Sequence, residues 1–259
     1  MKFHEVGGLC YYSFESLDHA GVTSAVFTRK GGVSPSPWNT LNVGGTLGDD
    51  RTRVVKNREL TFAAVRKSVE SIFDVWQVHS TRIVRADQPR PLDQPHQKAD
   101  GILTDKPGVS LFMRFGDCVP ILLFDPERRA IGLVHAGWKG TVNRIAKLAV
   151  EAMKQQFDSR PDSIQACIGP SICPEHYPVG MDVVSKVKQA FDSRSGEILK
   201  RDGSQTRFDL WKANQIVLEE QGIKKIEIAG ICTACHPDEW FSHRGENGKT
   251  GRFGVLFAL

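Results

Sequence analysis

Six short apolar runs follow one another between residues 72 and 135, and the last of them passes directly into a long amphipathic stretch. The runs lie at 72–78, 82–86, 101–104, 109–113, 119–124 and 130–135. They are too short for stable helices and the right length for strands buried in a sheet. After the last run comes His135-Ala136-Gly137-Trp138-Lys139-Gly140, and then Val142, Ile145, Leu148, Ala149 and Met153 recur at helical spacing until Pro161 closes the segment. A strand therefore feeds a helix spanning 141–157, and an imidazole stands at the turn between them.

The rest of the chain fits around this core. Residues 22–28 form a β-branched run that ends in a Gly and Pro loop, and Asp49-Asp50 provide a helix N-terminus for a helix over 50–68. Further on, the pattern predicts strands at 163–168, 225–229 and 255–258 and helices at 181–191 and 210–221. The Pro- and Gln-rich segment 87–98 reads as a solvated loop, and 192–206 as a mobile surface loop. Neither divides the chain, so a single domain over residues 1–259 is expected.

Composition restricts the function classes. With 40% hydrophobic and 25% charged residues, the chain resembles an ordinary globular enzyme rather than a disordered or fibrous one. A balance of 34 basic against 30 acidic residues, net +4, is too small and too dispersed for a nucleic-acid footprint or a basic membrane patch, although a small anion would suit it. No apolar stretch forms a signal h-region or reaches the length of a membrane span, so the expected address is cytoplasmic. In that compartment the six cysteines are expected to be reduced.

Three ligand-type side chains sit where strands meet loops: His79, Cys118 and His135. Two histidines and a cysteine can hold a zinc ion and leave a coordination position open. Residue type alone leaves the alternative standing, in which Cys118 is a small buried hydrophobe and the histidines are satisfied polar groups. Cys232-Thr233-Ala234-Cys235 is a CxxC; a closed zinc site there is open but would need a second ligand pair, with only His236 and His243 near in sequence, so the reading in which these cysteines have no metal or redox role is preferred. Cys167 and Cys173 flank a Gly169-Pro170 turn and receive no role. In the stretch 238–252, Arg244, Lys249 and Arg252 lie among glycines and could form either an anion-binding loop or a solvated hairpin.

Taken together, the ordered segments Phe27-Thr28-Arg29-Lys30-Gly31-Gly32-Val33-Ser34, Leu41-Asn42-Val43-Gly44, Asn57-Arg58, Gln77-Val78-His79, Ala99-Asp100-Gly101, Asp117-Cys118-Val119-Pro120, His135-Ala136-Gly137-Trp138-Lys139-Gly140 and Phe241-Ser242-His243-Arg244 resemble the laccase-domain family. Its members are also called polyphenol oxidase or purine nucleoside phosphorylase laccase-like proteins, and the resemblance spans nearly the whole chain. It implies an α+β fold layered α/β/β/α with mixed sheets, and a zinc held by His79, Cys118 and His135, which are also the implied catalytic residues. It further implies phosphorolysis of adenosine, inosine, guanosine and methylthioadenosine, deamination of adenosine, and in some bacterial relatives editing of peptidoglycan precursors. Purine nucleosides and phosphate are the implied partners, with Arg58 resembling the phosphate-contacting arginine and Asn42, Gln77 and Arg244 expected on the substrate side. Two departures bear on substrate preference: Tyr177-Pro178-Val179-Gly180 replaces a Tyr-Glu-Val-Gly, and Arg244-Gly245-Glu246-Asn247 replaces a segment that often carries a second Arg and an Asp.

Alternatives to this reading use the same residues. A copper oxidase could use Cys118 and the two histidines with Met113 as a weak axial ligand, although none of the eight histidines forms an H-x-H pair. A hydrolase could use Cys118 as nucleophile with His135 as base, and a zinc-stabilised binding module would need no chemistry at all. Cytidine-deaminase chemistry is excluded, because the chain has no H-x-E and Ile231 rather than Pro precedes Cys232.

Overall fold

The computed structural model describes residues 1–18 and 20–259. One six-stranded sheet runs in the order β1 (Lys2–Val6), β2 (Leu9–Ser13), β3 (Thr23–Phe27), β15 (Phe253–Ala258), β7 (Ser110–Phe115) and β4 (Ile72–Asp74). A second runs β14 (Lys225–Ile228), β10 (Gln165–Ile168), β8 (Val119–Asp125), β9 (Ala130–Ala136), β6 (Gly101–Thr104) and β5 (Ile83–Arg85). Both are mixed: β4 pairs parallel to β7, β10 to β14 and β5 to β6, while neighbours such as β8 and β9 are antiparallel.

The layering follows from the two-residue period of the strands. In β7, Leu111, Met113 and Phe115 point between the sheets, where they meet Leu122 and Phe124 of β8 and Ile131 and Leu133 of β9. Phe112 points the other way, onto Phe62 of helix α1 (Arg51–Ala64), with ring centroids 5.5 Å apart. On the second sheet, Ile121, Leu123, Val134 and Ala136 face outward and are covered by helices. These are α3 (Ile145–Phe157), α4 (Met181–Phe191) and α6 (Leu210–Glu220), through Ala149, Met153, Val187 and Ile216. The result is an α+β fold in α/β/β/α layers, as the family resemblance implies. Among the described residues, no helix is long and apolar enough to cross a membrane.

Asp50 starts α1 by accepting hydrogen bonds from the backbone N–H groups of Thr52 and Arg53 at 2.8 and 3.2 Å. The helix ends four residues before the expected 68, because Arg66 takes φ +55°. The segment 141–157 is not one continuous helix. A short α2 (Trp138–Val142) begins at the turn itself, and the left-handed Arg144, at φ +58°, separates it from α3. The break lets α2 present Trp138 and Lys139 to the mouth of the sheet while α3 lies flat on it.

Residues 192–206 are also not a mobile loop. They contain α5 (Ser195–Ile198) and β12 (Leu199–Asp202) and enter β13 (Gln205–Phe208), which with β11 (Pro178–Val179) completes a small third sheet in the order β11-β13-β12. Ile198 and Phe208 are fully buried in the helical core and fix the hairpin, a signal that the surrounding charged residues mask.

Packing is tight enough for single atoms to matter. A Cβ built on Gly254 of β15 would come within 2.6 and 2.8 Å of the Phe112 ring, which has no free space around it. Gly254→Ala is expected to lower unfolding free energy by ~1–3 kcal/mol, the usual range for overpacking. Chemical denaturation of the variant would read this out, and an unchanged midpoint would contradict it.

Candidate active site

The sheet-end loops bring His79, Cys118 and His135 together. One ligand atom from each lies within 4.8 Å of the others, with Cys118 Sγ 3.8 Å from His79 Nε2. His135 sits next to the end of β9 on the same face as Ile131 and Leu133, so its ring emerges at the rim of the intersheet core against Phe115, centroids 5.5 Å apart. Cys118 immediately precedes β8, and His79 lies in the connection from β4 to β5. Gly137 lies directly over the cluster: a Cβ there would be 2.9 Å from Cys118 Sγ and 3.0 Å from His79 Cδ2. Only a residue without a side chain allows this approach.

A fully buried carboxylate orders both histidines. Asp100 Oδ1 lies 2.9 Å from His135 Nδ1 and accepts the His79 backbone N–H at 3.0 Å. Its Oδ2 accepts from the backbone N–H of Val78 and Ser80 and from the Ser80 hydroxyl, at 3.2, 2.6 and 2.8 Å. His79 takes φ +58°, an unusual conformation for a residue with a side chain, and the Asp100 contacts stabilise it there. With Nδ1 of His135 committed to Asp100, Nε2 is the nitrogen left for a ligand.

Electrostatics favour a thiolate. Burial alone would raise the Cys118 thiol, but the His135 and His79 imidazoles outweigh it and bring the group down to about 6. His135 moves oppositely: burial lowers it, and Cys118 together with Asp100 raises it to about 9. Burial would also raise Asp100, yet its hydrogen bonds to His135 and Ser80 hold it below the usual carboxylate range. A thiolate and two imidazoles match the donor chemistry of a zinc site with an open position.

A cavity of about 320 Å³ adjoins the cluster, bounded by Trp138, Tyr177, His243 and Arg244 as well as His79 and Cys118. Asp117, at φ +84°, holds its far wall: its carboxylate accepts from Thr233 and Ser242 hydroxyls at 2.7 Å each and from the Arg244 backbone N–H at 2.6 Å. Arg244 lies over the Tyr177 ring at 5.0 Å and donates to the Pro178 carbonyl at 3.1 Å. Glu246, one of the departures from the family pattern, ties the same loop down through Ser242, Thr250 and Arg29. A larger depression of about 440 Å³ beside Tyr11, Ser24 and Arg66 holds no comparable ligand cluster among the described residues.

The other expected residues fall into distinct places. Arg244 lines the cavity, whereas Arg58 and Gln77 do not: Arg58 joins Arg90, Arg114 and His96 around the buried Asp74, at 3.9, 2.8, 3.4 and 2.8 Å. Gln77 bridges to the Arg114 backbone at 2.7 and 2.9 Å. Burial and the Arg114 charge lower Arg58 to about 10, so it still carries its charge at neutral pH. Asn42 is fully buried and serves the loop: it binds Asp49, Gly44 and the Arg252 backbone N–H. Met113 is packed in the intersheet core; Phe115, not Met113, is the residue of that strand that meets the His135 ring. Three contributors were not anticipated: Asp100, His243 and Gly137. Asp100 was visible only as part of a motif, since nothing in its local sequence reveals that its carboxylate faces a histidine 35 residues away.

Residues 23–259 match the family described as multi-copper polyphenol oxidoreductase laccase. A purine nucleoside phosphorylase of Deinococcus radiodurans is 38% identical over 239 residues, covering 92% of this chain and 89% of that protein. A protein named adenosine deaminase RL5, from an unknown prokaryotic organism, is 32% identical over 92% of this chain and 95% of its own length. The crystal structure of YlmD from Geobacillus stearothermophilus superposes with a TM-score of 0.92 at 31% identity, covering 98% of this chain and 97% of that one.

Two measurements probe this geometry. Asp100→Asn should weaken metal binding about 10- to 100-fold, the usual effect of disturbing a ligand's hydrogen-bond partner, as read by competition with a chelating dye. In metal-stripped protein, the thiolate form of Cys118 is present above its pKa and lost below it. Alkylation of Cys118, followed by peptide mapping, should therefore rise to half its maximum near pH 6. A half-rise near the ordinary thiol value would contradict the imidazole pairing.

Proposed function

We propose that this chain, which belongs to the laccase-domain family matched over residues 23–259, is a zinc-dependent purine nucleoside enzyme. It cleaves adenosine, inosine, guanosine and methylthioadenosine with phosphate and deaminates adenosine. The observation that carries the reading is the meeting of His79, Cys118 and His135, the first two of them on the wall of a cavity large enough for a small ligand. Zinc held by one thiolate and two imidazoles supplies Lewis acidity at neutral pH.

The remaining chemistry belongs to the chain. Trp138 and Tyr177 bring aromatic surface to the cavity wall, against which a purine can pack. Arg244, charged and at the cavity wall, is suited to a phosphate oxygen. Arg58 contributes positive field from behind Gly44 and Gly45, the latter placed so that a Cβ would lie 3.8 Å from its guanidinium. His243 is placed to offer an N–H hydrogen bond to a departing purine. Burial first, and then Arg252, lower its pKa; an Arg252 N–H faces Nδ1 at 3.5 Å, a contact that suits the tautomer with its proton on Nε2. Such a donor acts where charge develops on the leaving base.

Incubation with adenosine, with and without phosphate, tests this. Adenine and ribose 1-phosphate are expected only when phosphate is present, and inosine in both cases. Cys118→Ala should abolish all products, and His243→Ala should slow phosphorolysis about 10²-fold, as for loss of one preorganised hydrogen-bond donor. Stoichiometric copper with phenol oxidation and no nucleoside turnover would overturn the assignment in favour of an oxidase.

A further inference from the structure

Away from the cavity cluster, four more ligand-type side chains converge. Cys173 and His176, from the segment after β10, meet Cys232 and Cys235, from the segment after β14, with one ligand atom from each within 4.8 Å of all the others. The sequence reading left Cys173 without a role and saw no second pair for the CxxC beyond His236 and His243. The partner pair lies instead in a Cys-x-x-His some 60 residues upstream, as the numbering shows. Parallel pairing joins the two segments: Ser171 bridges to Cys232, Ser171 N–H donates to the Ile231 carbonyl at 3.1 Å, and Thr233 N–H donates to the Ser171 carbonyl at 3.2 Å.

We propose that Cys173, His176, Cys232 and Cys235 form a second, closed zinc site that clamps these two segments together. Three observations carry this. The donor set, three thiols and one imidazole in two x-x-spaced pairs, is that of a structural zinc site. The geometry agrees as well. Tetrahedral zinc with bonds of about 2.3 Å to sulfur and about 2.0–2.1 Å to nitrogen places each sulfur about 3.5 Å from the nitrogen, and His176 Nδ1 lies 3.4, 3.8 and 3.4 Å from the sulfurs of Cys173, Cys232 and Cys235. Finally, the Cys173 backbone N–H points at Cys232 Sγ at 3.3 Å, a hydrogen bond that stabilises sulfur as a thiolate ligand. All six cysteines stand as free thiols, so no disulfide satisfies the cluster. Metal binding would displace the thiol protons.

The clamp sits behind the cavity wall. Tyr177 follows His176 directly, and Thr233, between the two cysteines, is held by Asp117, the carboxylate that also holds Ser242 and the Arg244 backbone. Fixing one pair against the other therefore fixes Tyr177 and Arg244 relative to the metal-ligand cluster. This role is independent of which substrate the cavity takes.

Metal counting tests the site without any activity assay. Protein purified with zinc should contain two equivalents per chain, Cys118→Ala one, Cys235→Ser one, and the double variant none. Cobalt substituted into Cys118→Ala should give the intense sulfur-to-metal charge-transfer absorption of several thiolates. Hydrogen exchange in Cys235→Ser should accelerate in residues 171–180 and 231–245 while the Asp100 region is unchanged. One equivalent in the wild type with none in Cys118→Ala, or a disulfide linking any two of the three cysteines in freshly purified protein, would overturn the site; unaltered exchange in those two segments would overturn the clamp.

Discussion

The site depends on one buried carboxylate. Asp100 has no solvent exposure, and a bare carboxylate in that position would be costly, but five donors surround it. Those donors are the point of the arrangement. One is the ring nitrogen of His135, and three are successive backbone N–H groups that hold His79 in a left-handed conformation it would not adopt unaided. A single charge thus sets the orientation of two imidazoles from distant parts of the chain. The rest of the fold, two sheets packed face to face, keeps that charge dry and the strand ends in register.

Asp117 does for the opposite wall what Asp100 does for the ligands. Adjoining Cys118 in sequence, it reaches across to Thr233, Ser242 and the Arg244 backbone, so the sulfur and the loop that closes over it move as one unit. Such walls are loops, and loops are ordinarily the least stable parts of a domain. Here they are stabilised by carboxylates buried beneath them and, in the inference above, by a metal clamp behind them. Elsewhere, three arginines share the one buried carboxylate of Asp74, an excess of positive charge within the fold.

Much of this was legible in the sequence because it rests on local periodicity. The strands at 101–104, 119–124 and 130–135 were readable as short continuous apolar runs of strand length, and the helix at 181–191 because its apolar residues recur with the helical period. The break at Arg144 was not, since the apolar spacing runs through it and only the backbone angle changes. Nor was the hairpin after α5, whose two buried anchors, Ile198 and Phe208, are ten residues apart in a charged segment. For the site, His79, Cys118 and His135 stood out by type and by their place at strand ends, but their meeting had to come from family resemblance. Long-range pairings such as Asp100 with His135, or Cys173 and His176 with Cys232 and Cys235, leave no local trace, because topology rather than spacing brings them together.

The most direct test of the central claim is anomalous X-ray diffraction at the zinc edge from crystals of the zinc-loaded protein. The account predicts a peak within bonding distance of Cys118 Sγ and of one nitrogen of each of His79 and His135, with His135 Nδ1 still facing Asp100. A structure in which the Cys118 sulfur and either imidazole lie beyond common reach of a single ion, or in which the ion is bound without Cys118, would contradict it.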